Sequence, residues 1–285
     1  MTPGLWGGLC ALSWGTSDFI ARFSGRALGH SAVLFGMLLT GSVLLSLWVW
    51  LSGAPLQWAD QGLWPIGASG VSIMVATLWL YQGLVRGPVS IVAPIVGSYP
   101  ALIVVFAVVS GTEPSPVEWT AMAATLVGIV LVARSADRFA TAGTGSRRQL
   151  RGTVSIALAS SAAFAVGVFA AQTAVPSYGE LQTTWLSRLV SLAALAILLT
   201  LRGQRPSIAP RWWPAVGCQG ALDSGGYVLL YAGSHGAGGA IAAVAASAFG
   251  AVTTLLAWIF LREAIRPVQW LGIALIFVGV GVLSA

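Results

Sequence analysis

Lysine is absent from this sequence of 285 residues, and charged residues of all kinds make up only 8% of it. Soluble globular domains carry roughly 25% charged residues, so this composition excludes an ordinary soluble domain. Hydrophobic residues reach 57%, and the mean hydropathy is +0.86. We therefore expect an integral membrane protein.

Cysteine is scarce as well. Cys10 and Cys218 both fall within apolar stretches, where a thiol is more often a small buried side chain than half of a disulfide. The two residues therefore indicate no redox compartment. The sequence predicts neither a metal site nor a cofactor.

Apolar stretches of about 20 residues, long enough to cross the hydrocarbon layer of a bilayer, occur ten times. The predicted spans are 4–21, 31–52, 63–85, 89–110, 117–133, 152–172, 181–201, 212–232, 238–261 and 267–284. They take up most of the chain, which leaves no room for a soluble catalytic domain, so we do not expect an enzyme. The first stretch lacks the basic leader of a cleavable signal peptide, and we expect it to be retained as a helix.

The arginines alternate between loops. All 14 basic residues are arginines, and all except Arg188 lie between spans 1 and 2, 3 and 4, 5 and 6, 7 and 8, or 9 and 10. The other loops carry only acidic charges. Because arginine-rich loops face the cytoplasm, the pattern predicts a multi-pass plasma (inner) membrane protein with both termini outside. The net charge of +6 is then a topology signal and does not indicate binding to nucleic acid.

The chain contains an internal repeat. Residues 80–113 return 150 positions later as residues 230–263. The identical pairs are Leu80 and Leu230, Tyr81 and Tyr231, Gly83 and Gly233, Ile91 and Ile241, Ala93 and Ala243, Ala101 and Ala251, Ala107 and Ala257, and Glu113 and Glu263. At an offset of 151, Pro116–Trp119 is answered by Pro267–Trp270. A fixed offset indicates two copies of one structural unit.

An odd number of predicted spans, five, separates the two copies, so they must cross the membrane in opposite directions. The sequence therefore predicts an all-α membrane protein of ten transmembrane helices, arranged as two inverted five-helix repeats. The first half would be 1–133, the basic connector 134–151 and the second half 152–285. Inverted halves typically enclose a site near the membrane midplane.

Several motifs recur in both halves. They are Trp14-Gly15 and Phe164-Ala165 in the first helices, the Ser/Ala-rich stretches Ser90–Tyr99 and Ala240–Phe249 in the fourth, Glu113 and Glu263 after these, and a Trp followed by a Gly in the fifth helices. In these features nearly the whole chain resembles the EamA-type members of the drug/metabolite transporter superfamily. The resemblance implies a secondary transporter of small metabolites that works by alternating access, and it also implies export of amino acids or related compounds. Family members are usually drawn with both termini in the cytoplasm, whereas the arginines predict the reverse.

Apart from Glu118, the second residue of the fifth span, three charged residues lie within the predicted spans. Asp18 precedes Arg22 by four residues, so we expect an ion pair at the helix end or, alternatively, a carboxylate that exchanges a proton or meets a cationic substrate. Arg188 and Asp223 lie at similar depths, which predicts a buried pair. This pair either neutralises itself or acts on substrate, in which case Arg188 binds a carboxylate or phosphate and Asp223 cycles a proton.

Aromatic residues of several spans could line a cavity around these charges. The candidates are Trp14, Tyr81, Tyr99, Trp185, Tyr227 and Tyr231. Tyr227 and Tyr231 share a helix stripe with Asp223, and Trp185 shares a face with Arg188. Ordinary packing between helices is the alternative for each of them. Pro94 and Pro100 predict a kink in the fourth span beside the cavity.

Other functions stay open at this point. Arg188 would also fit a sugar-phosphate or other organic-anion exchanger, and Asp18 with Asp223 would fit a cationic drug exporter. Gly67–Gly70 matches the pattern around the serine of rhomboid intramembrane proteases, with His235 as the base, but a protease would not explain the repeat. A passive channel is a further alternative, but the sequence lacks the rings of charge expected of a channel. The predicted partners are a small-molecule substrate, protons as a candidate coupling ion and the lipid bilayer; two fused halves make a monomer sufficient.

Overall fold

The computed structural model of the protein describes residues 2–53, 55–58, 63–102, 115–141, 147–234, 238–263 and 265–282. Within these residues the chain is almost entirely helical and has no β-strand. Its α-helices are α1 (Pro3–Leu28), α2 (His30–Ser52), α3 (Trp64–Arg86), α4 (Val89–Gly97), α5 (Pro116–Thr141), α6 (Arg147–Leu201), α7 (Trp213–Ala232), α8 (Gly238–Ser247), α9 (Phe249–Leu261) and α10 (Pro267–Val282). A 3₁₀ turn, Pro210–Trp212, precedes α7. The all-α prediction is confirmed for the described residues.

Helix ends fall at residues that favour them. Pro3 and Pro65 lie in the first turns of α1 and α3, where the missing N–H would have no partner in the helix anyway. Thr2 caps α1, because its Oγ1 accepts a hydrogen bond of 3.4 Å from the Leu5 N–H. Gly53 ends α2 in the left-handed conformation, with φ 60°. Local signals of this kind explain why α2 and α3 begin and end within about a residue of the predicted spans.

The largest difference from the predicted spans lies in α6. Its 55 residues form two helices that meet at one non-helical residue, so spans 152–172 and 181–201 are both helical, and a kink stands between them where a loop was expected. At Gly179 the backbone has φ 70° and ψ 167°, and the helix changes direction there. A residue without a Cβ reaches this conformation at low cost. The two predicted spans are therefore joined by a kink.

Two helices break at matching positions of the repeat. The first break comes at Ser98, between α4 and the helical residues 99–102, and the second at Ala248, between α8 and α9. These positions differ by 150, the offset of the sequence repeat. Pro94 and Pro100 flank the first break, as expected for the fourth span, but the second copy has no proline at either matching position. The interruption is thus a property of both copies and does not require proline.

Four helical segments of the described chain are long and apolar enough to cross a membrane, by length and composition. They are His30–Ser52, Trp64–Arg86, Arg148–Leu201 and Ala242–Leu261. Shorter apolar helices are found at Val89–Leu102, Trp119–Gly128 and Pro267–Gly279. Ten membrane-spanning helices therefore stay a prediction.

α5 and α10 pack on each other through glycines. A Cβ at Gly128 would lie 2.6 Å from the carbonyl oxygen of Gly272, and a Cβ at Gly279 would lie 2.6 Å from that of Ala121. The offset of 151 exchanges these two contacts, since it relates Gly128 to Gly279 and Ala121 to Gly272. The two copies therefore meet here through the same surface.

The helices that carry the candidate site residues lie around α1. α1 packs against α7, α8 and α9, while α3 packs along α6, and α6 also contacts α7. Buried apolar side chains from all these helices form one continuous core. This arrangement places α6 beside α7, which in turn packs against α1.

Candidate functional site

Arg188 and Asp223 form a buried ion pair. Arg188 lies in the second part of α6 and Asp223 in the middle of α7, and the Nη2 of the arginine contacts the Oδ2 of the aspartate. The two side chains are only 3% and 11% exposed. Taking an ion out of water costs several kcal/mol unless an opposite charge compensates it. The pairing predicted from the depths of the two residues is present in the structure.

The side chains of Tyr227 and Trp14 pack around this ion pair. The Arg188 Cζ lies 4.7 Å from the centroid of the Tyr227 ring, a cation–π geometry. The ring of Trp14 packs on Tyr227 with 4.6 Å between centroids, and its Nε1 donates a hydrogen bond of 3.1 Å to the Asp223 carbonyl oxygen. Trp14 therefore links α1, in the first half of the chain, to the charged residues in the second half.

The close approach of Trp14 to α7 depends on Gly226. A Cβ at this position would overlap the indole ring of Trp14, whereas a Cβ at the neighbouring Gly225 would meet open space. Gly226 is therefore the residue that lets the indole lie directly against the α7 backbone.

A small cavity of about 10 Å³ lies beside Arg188, with room for about one water molecule. Its lining consists of Ile73, Thr184, Ser187, Arg188, Ser191, Tyr227 and Tyr231. Within the described part of the chain, three polar atoms of this lining have no hydrogen-bond partner: Nη1 of Arg188, Oγ of Ser187 and the hydroxyl of Tyr231. Residues with unsatisfied hydrogen-bond donors therefore line one small cavity.

Four of the lining residues were not among the sequence candidates: Ile73 and three polar residues. Thr184, Ser187 and Ser191 surround Arg188 on α6, at four positions before it, one before and three after. Small polar residues one turn from an intramembrane charge share its helix face. This spacing was visible in the sequence and points to Thr184 and Ser191, whereas Ser187 is the immediate neighbour of Arg188 and does not share its face.

Three of the predicted aromatic residues form hydrogen bonds elsewhere. They are not among the described residues that line the cavity. Their bonds run from the Tyr81 hydroxyl to Met37 Sδ at 2.9 Å, from the Tyr99 hydroxyl to the Ala243 carbonyl at 3.2 Å, and from Trp185 Nε1 to Ser46 Oγ at 2.9 Å. Each of these bonds joins two helices. The three side chains thus make the interhelical packing contacts that were the alternative for each candidate.

The expected ion pair between Asp18 and Arg22 is wrong. The Arg22 guanidinium donates hydrogen bonds to the carbonyl oxygens of Leu84 and, at 2.9 Å, Gly87, and it lies 4.0 Å from the Glu263 carboxylate. The last carbonyl groups of α3 lack partners in their own helix, so they attract the guanidinium away from its neighbour on α1. Asp18 is 6% exposed and forms no ion pair with any described residue.

The residues of the alternative protease site are only partly described. Ser69 lies fully buried in α3, while His235 lies outside the described residues. Glu113, a motif residue of the first repeat, lies outside them as well. Among the described side chains, no group of three or more His, Cys, Asp or Glu residues could hold a metal ion.

Comparison with known proteins places this arrangement in a family. A solved crystal structure of another protein has the same fold with a TM-score of 0.67, at 19% sequence identity over 98% of this chain and 95% of that chain. No curated protein matches the chain. The model of the EamA-like transporter family matches residues 2–134 and again residues 151–285. Because these two matches cover nearly all of the sequence, the chain belongs to the EamA-like transporter family.

Proposed function

We propose that this membrane transport protein is a secondary transporter that binds a small organic metabolite at the Arg188–Asp223 pair. The observation that carries the proposal is that Arg188, Ser187 and Tyr231 line one cavity, and that the Nη1 of Arg188 and the hydroxyls of the other two have no hydrogen-bond partner. A buried donor without a partner costs free energy. A ligand with acceptor oxygens would recover that cost.

The substrate we propose is an amino acid or a related compound. Its carboxylate would accept charge-assisted hydrogen bonds from Arg188. Its ammonium group would form an ion pair with the Asp223 carboxylate, which would no longer be paired with Arg188. A sugar phosphate would also use Arg188 but would leave Asp223 without a cation. A cationic drug would use Asp223 and leave Arg188 alone. Only a solute with both charges leaves neither buried ion unpaired.

Proton coupling would act through Asp223. With Asp223 ionised, the solute's ammonium group would pair with its carboxylate. Protonation of this carboxyl group would end that pair and favour release of the solute, and loss of the proton would make Asp223 available to the next solute. A carrier with this cycle exchanges solute for protons, which would suit an exporter in the plasma membrane with its arginine-rich loops in the cytoplasm.

The small volume of the cavity is the reason we propose alternating access. A space of about 10 Å³ holds one water molecule, so a metabolite can bind only after the surrounding helices have moved apart. Opening toward one face and then toward the other would carry the solute across the membrane.

Uptake into proteoliposomes tests the proposal. The solutes are a panel of amino acids, a sugar phosphate and a cationic dye, each with and without a pH gradient, for the wild type, Asp223→Asn and Asp18→Asn. We expect one or more amino acids to accumulate only with the gradient. Asp223→Asn should abolish this accumulation and still exchange solute across the membrane.

The control variant and the other solutes give the test its alternatives. Asp18→Asn should retain coupling if Asp223 is the proton carrier, and loss of coupling in Asp18→Asn alone would move the role to Asp18. Accumulation of only the sugar phosphate or only the dye would contradict the amino-acid proposal. If the solute concentration inside the liposomes never rises above that outside under any condition, the result would point to a channel.

A further inference from the structure

Glu263 caps a helix that belongs to the other half of the chain. Its carboxylate oxygens accept hydrogen bonds from the backbone N–H groups of Val89, at 3.2 Å, and Ser90, at 3.1 Å. These two residues begin α4, whose first N–H groups have no partners within the helix. The positive end of the helix dipole also favours a carboxylate at this place.

Arg22 completes the contact from α1. Its Nη2 lies 4.0 Å from Glu263 Oε1. Its Nη1 donates hydrogen bonds to the carbonyl oxygens of Leu84, in the last turn of α3, and of Gly87, just after that helix. The two side chains are 8% and 16% exposed. One cluster, the Glu263 contact, therefore ties the end of α9 to α1 and to the start of α4.

The chemistry of this contact suits reversible opening. Its bonds all join helix ends to charged side chains at the arginine-rich end of the helices, and water can replace each of them when the partners separate. The packing of α5 on α10 is different, because it depends on close contacts at glycines. Separating these two helices would only expose apolar surface. α4 also packs against α6, the helix that carries Arg188.

We propose that the contact among Arg22, Glu263 and the first turn of α4 is the gate that closes the arginine-rich end of the protein. It must break before a solute can reach Arg188 from that end. This inference rests on the proposed transport function for its purpose, but the opening of the contact can be measured without any solute.

Thiol reactivity tests the gate. Ser90→Cys places a reporter directly behind the contact, at a fully buried side chain whose hydroxyl has no hydrogen-bond partner, and its backbone N–H is retained. Cys218→Ser removes the exposed native thiol, and the fully buried Cys10 stays as an internal control for unfolding. Glu263→Ala, Glu263→Gln and the matched control Arg266→Gln, an exposed charge near Glu263, are then compared in this background.

We expect Glu263→Ala to raise the maleimide reaction rate at the reporter by at least about fivefold, with Cys10 unchanged. Glu263→Gln keeps one acceptor oxygen and should give a smaller rise, and Arg266→Gln should give none. An unchanged rate in Glu263→Ala would overturn the gate. Equal rises at the reporter and Cys10 would overturn it too, since Glu263 would then only maintain the fold.

Solute flux in the same variants separates this inference from the proposed function. A reporter that opens as expected in a protein that moves no solute would leave the gate standing and count against the transport proposal. Normal accumulation of solute with a reporter that never responds would support the transport proposal and overturn the gate.

Discussion

The stability of Arg188 and Asp223 depends on their being present together. Arg188→Leu alone leaves a buried carboxylate without a partner, and we expect it to lower the free energy of unfolding by about 3–5 kcal/mol. The double variant Arg188→Leu/Asp223→Leu should recover most of this loss, because no charge remains to be compensated. Thermal unfolding of the detergent-solubilised single and double variants measures both values.

The same pair of variants separates stability from function. Both lack the guanidinium, so neither should move solute, although the double variant should be nearly as stable as the wild type. A double variant as unstable as Arg188→Leu would show that the two residues stabilise the protein by contacts other than their mutual neutralisation.

The indole of Trp14 can lie against α7 only because Gly226 has no side chain. We expect Gly226→Ala to push the indole away from α7 and to destabilise the protein by about 1–3 kcal/mol, as overpacking typically does. Gly225→Ala is the matched control, since its Cβ would meet open space on the same helix. Tryptophan fluorescence and the melting temperature are the readouts, and equal effects of the two variants would refute the role assigned to Gly226.

The sequence could predict some residues of this site for a physical reason. Arg188 and Asp223 are intramembrane charges at similar depth, and such charges rarely remain unpaired, so their pairing followed from counting along two helices. The partner of Arg22 was different. Glu263 lies 241 positions away and approaches only because α1, α3 and α9 end at one place, which no spacing within α1 reveals.

At the scale of the elements, the kink of α6 rests on Gly179. Its φ of 70° and ψ of 167° lie in a region that is essentially restricted to glycine. A Cβ there would meet no other atom, so Gly179→Ala isolates the backbone cost, which we expect to be about 1–3 kcal/mol. Gly152→Ala, in a helical part of α6 and equally unobstructed, should instead stabilise the protein by about 0.5–1 kcal/mol.

Chemical or thermal unfolding of the two α6 variants checks this sign difference. Two stabilising alanines would mean that α6 can run straight through Gly179. The kink also explains why the sequence analysis expected a loop: Pro176, Ser177 and Gly179 form a turn-like cluster, but in the structure Gly179 alone departs from helical φ/ψ. Composition alone does not distinguish a kink from a loop.

At the scale of the whole molecule, the two copies of the repeat are alike in backbone and unlike in chemistry. The repeat offset of 150 relates Asp223 to Ile73 and Arg188 to Leu38, which are both buried and apolar. Ile73 nevertheless lines the same cavity as Arg188. Equivalent positions of the two copies thus converge on one centre, and only the second copy supplies charge there.

The orientation of the molecule is the point on which the arginines and the family resemblance disagree. Single cysteines at Ser52 and Ser207, both exposed, report on the end of α2 and on the arginine-rich connection before α7, in a Cys218→Ser background. If arginine-rich loops face the cytoplasm, a membrane-impermeant maleimide should label Ser52→Cys in intact cells and Ser207→Cys only after lysis. Labelling both cysteines after lysis controls for reactivity. The opposite pattern would place both termini in the cytoplasm and would mean that the arginines do not set the topology of this chain.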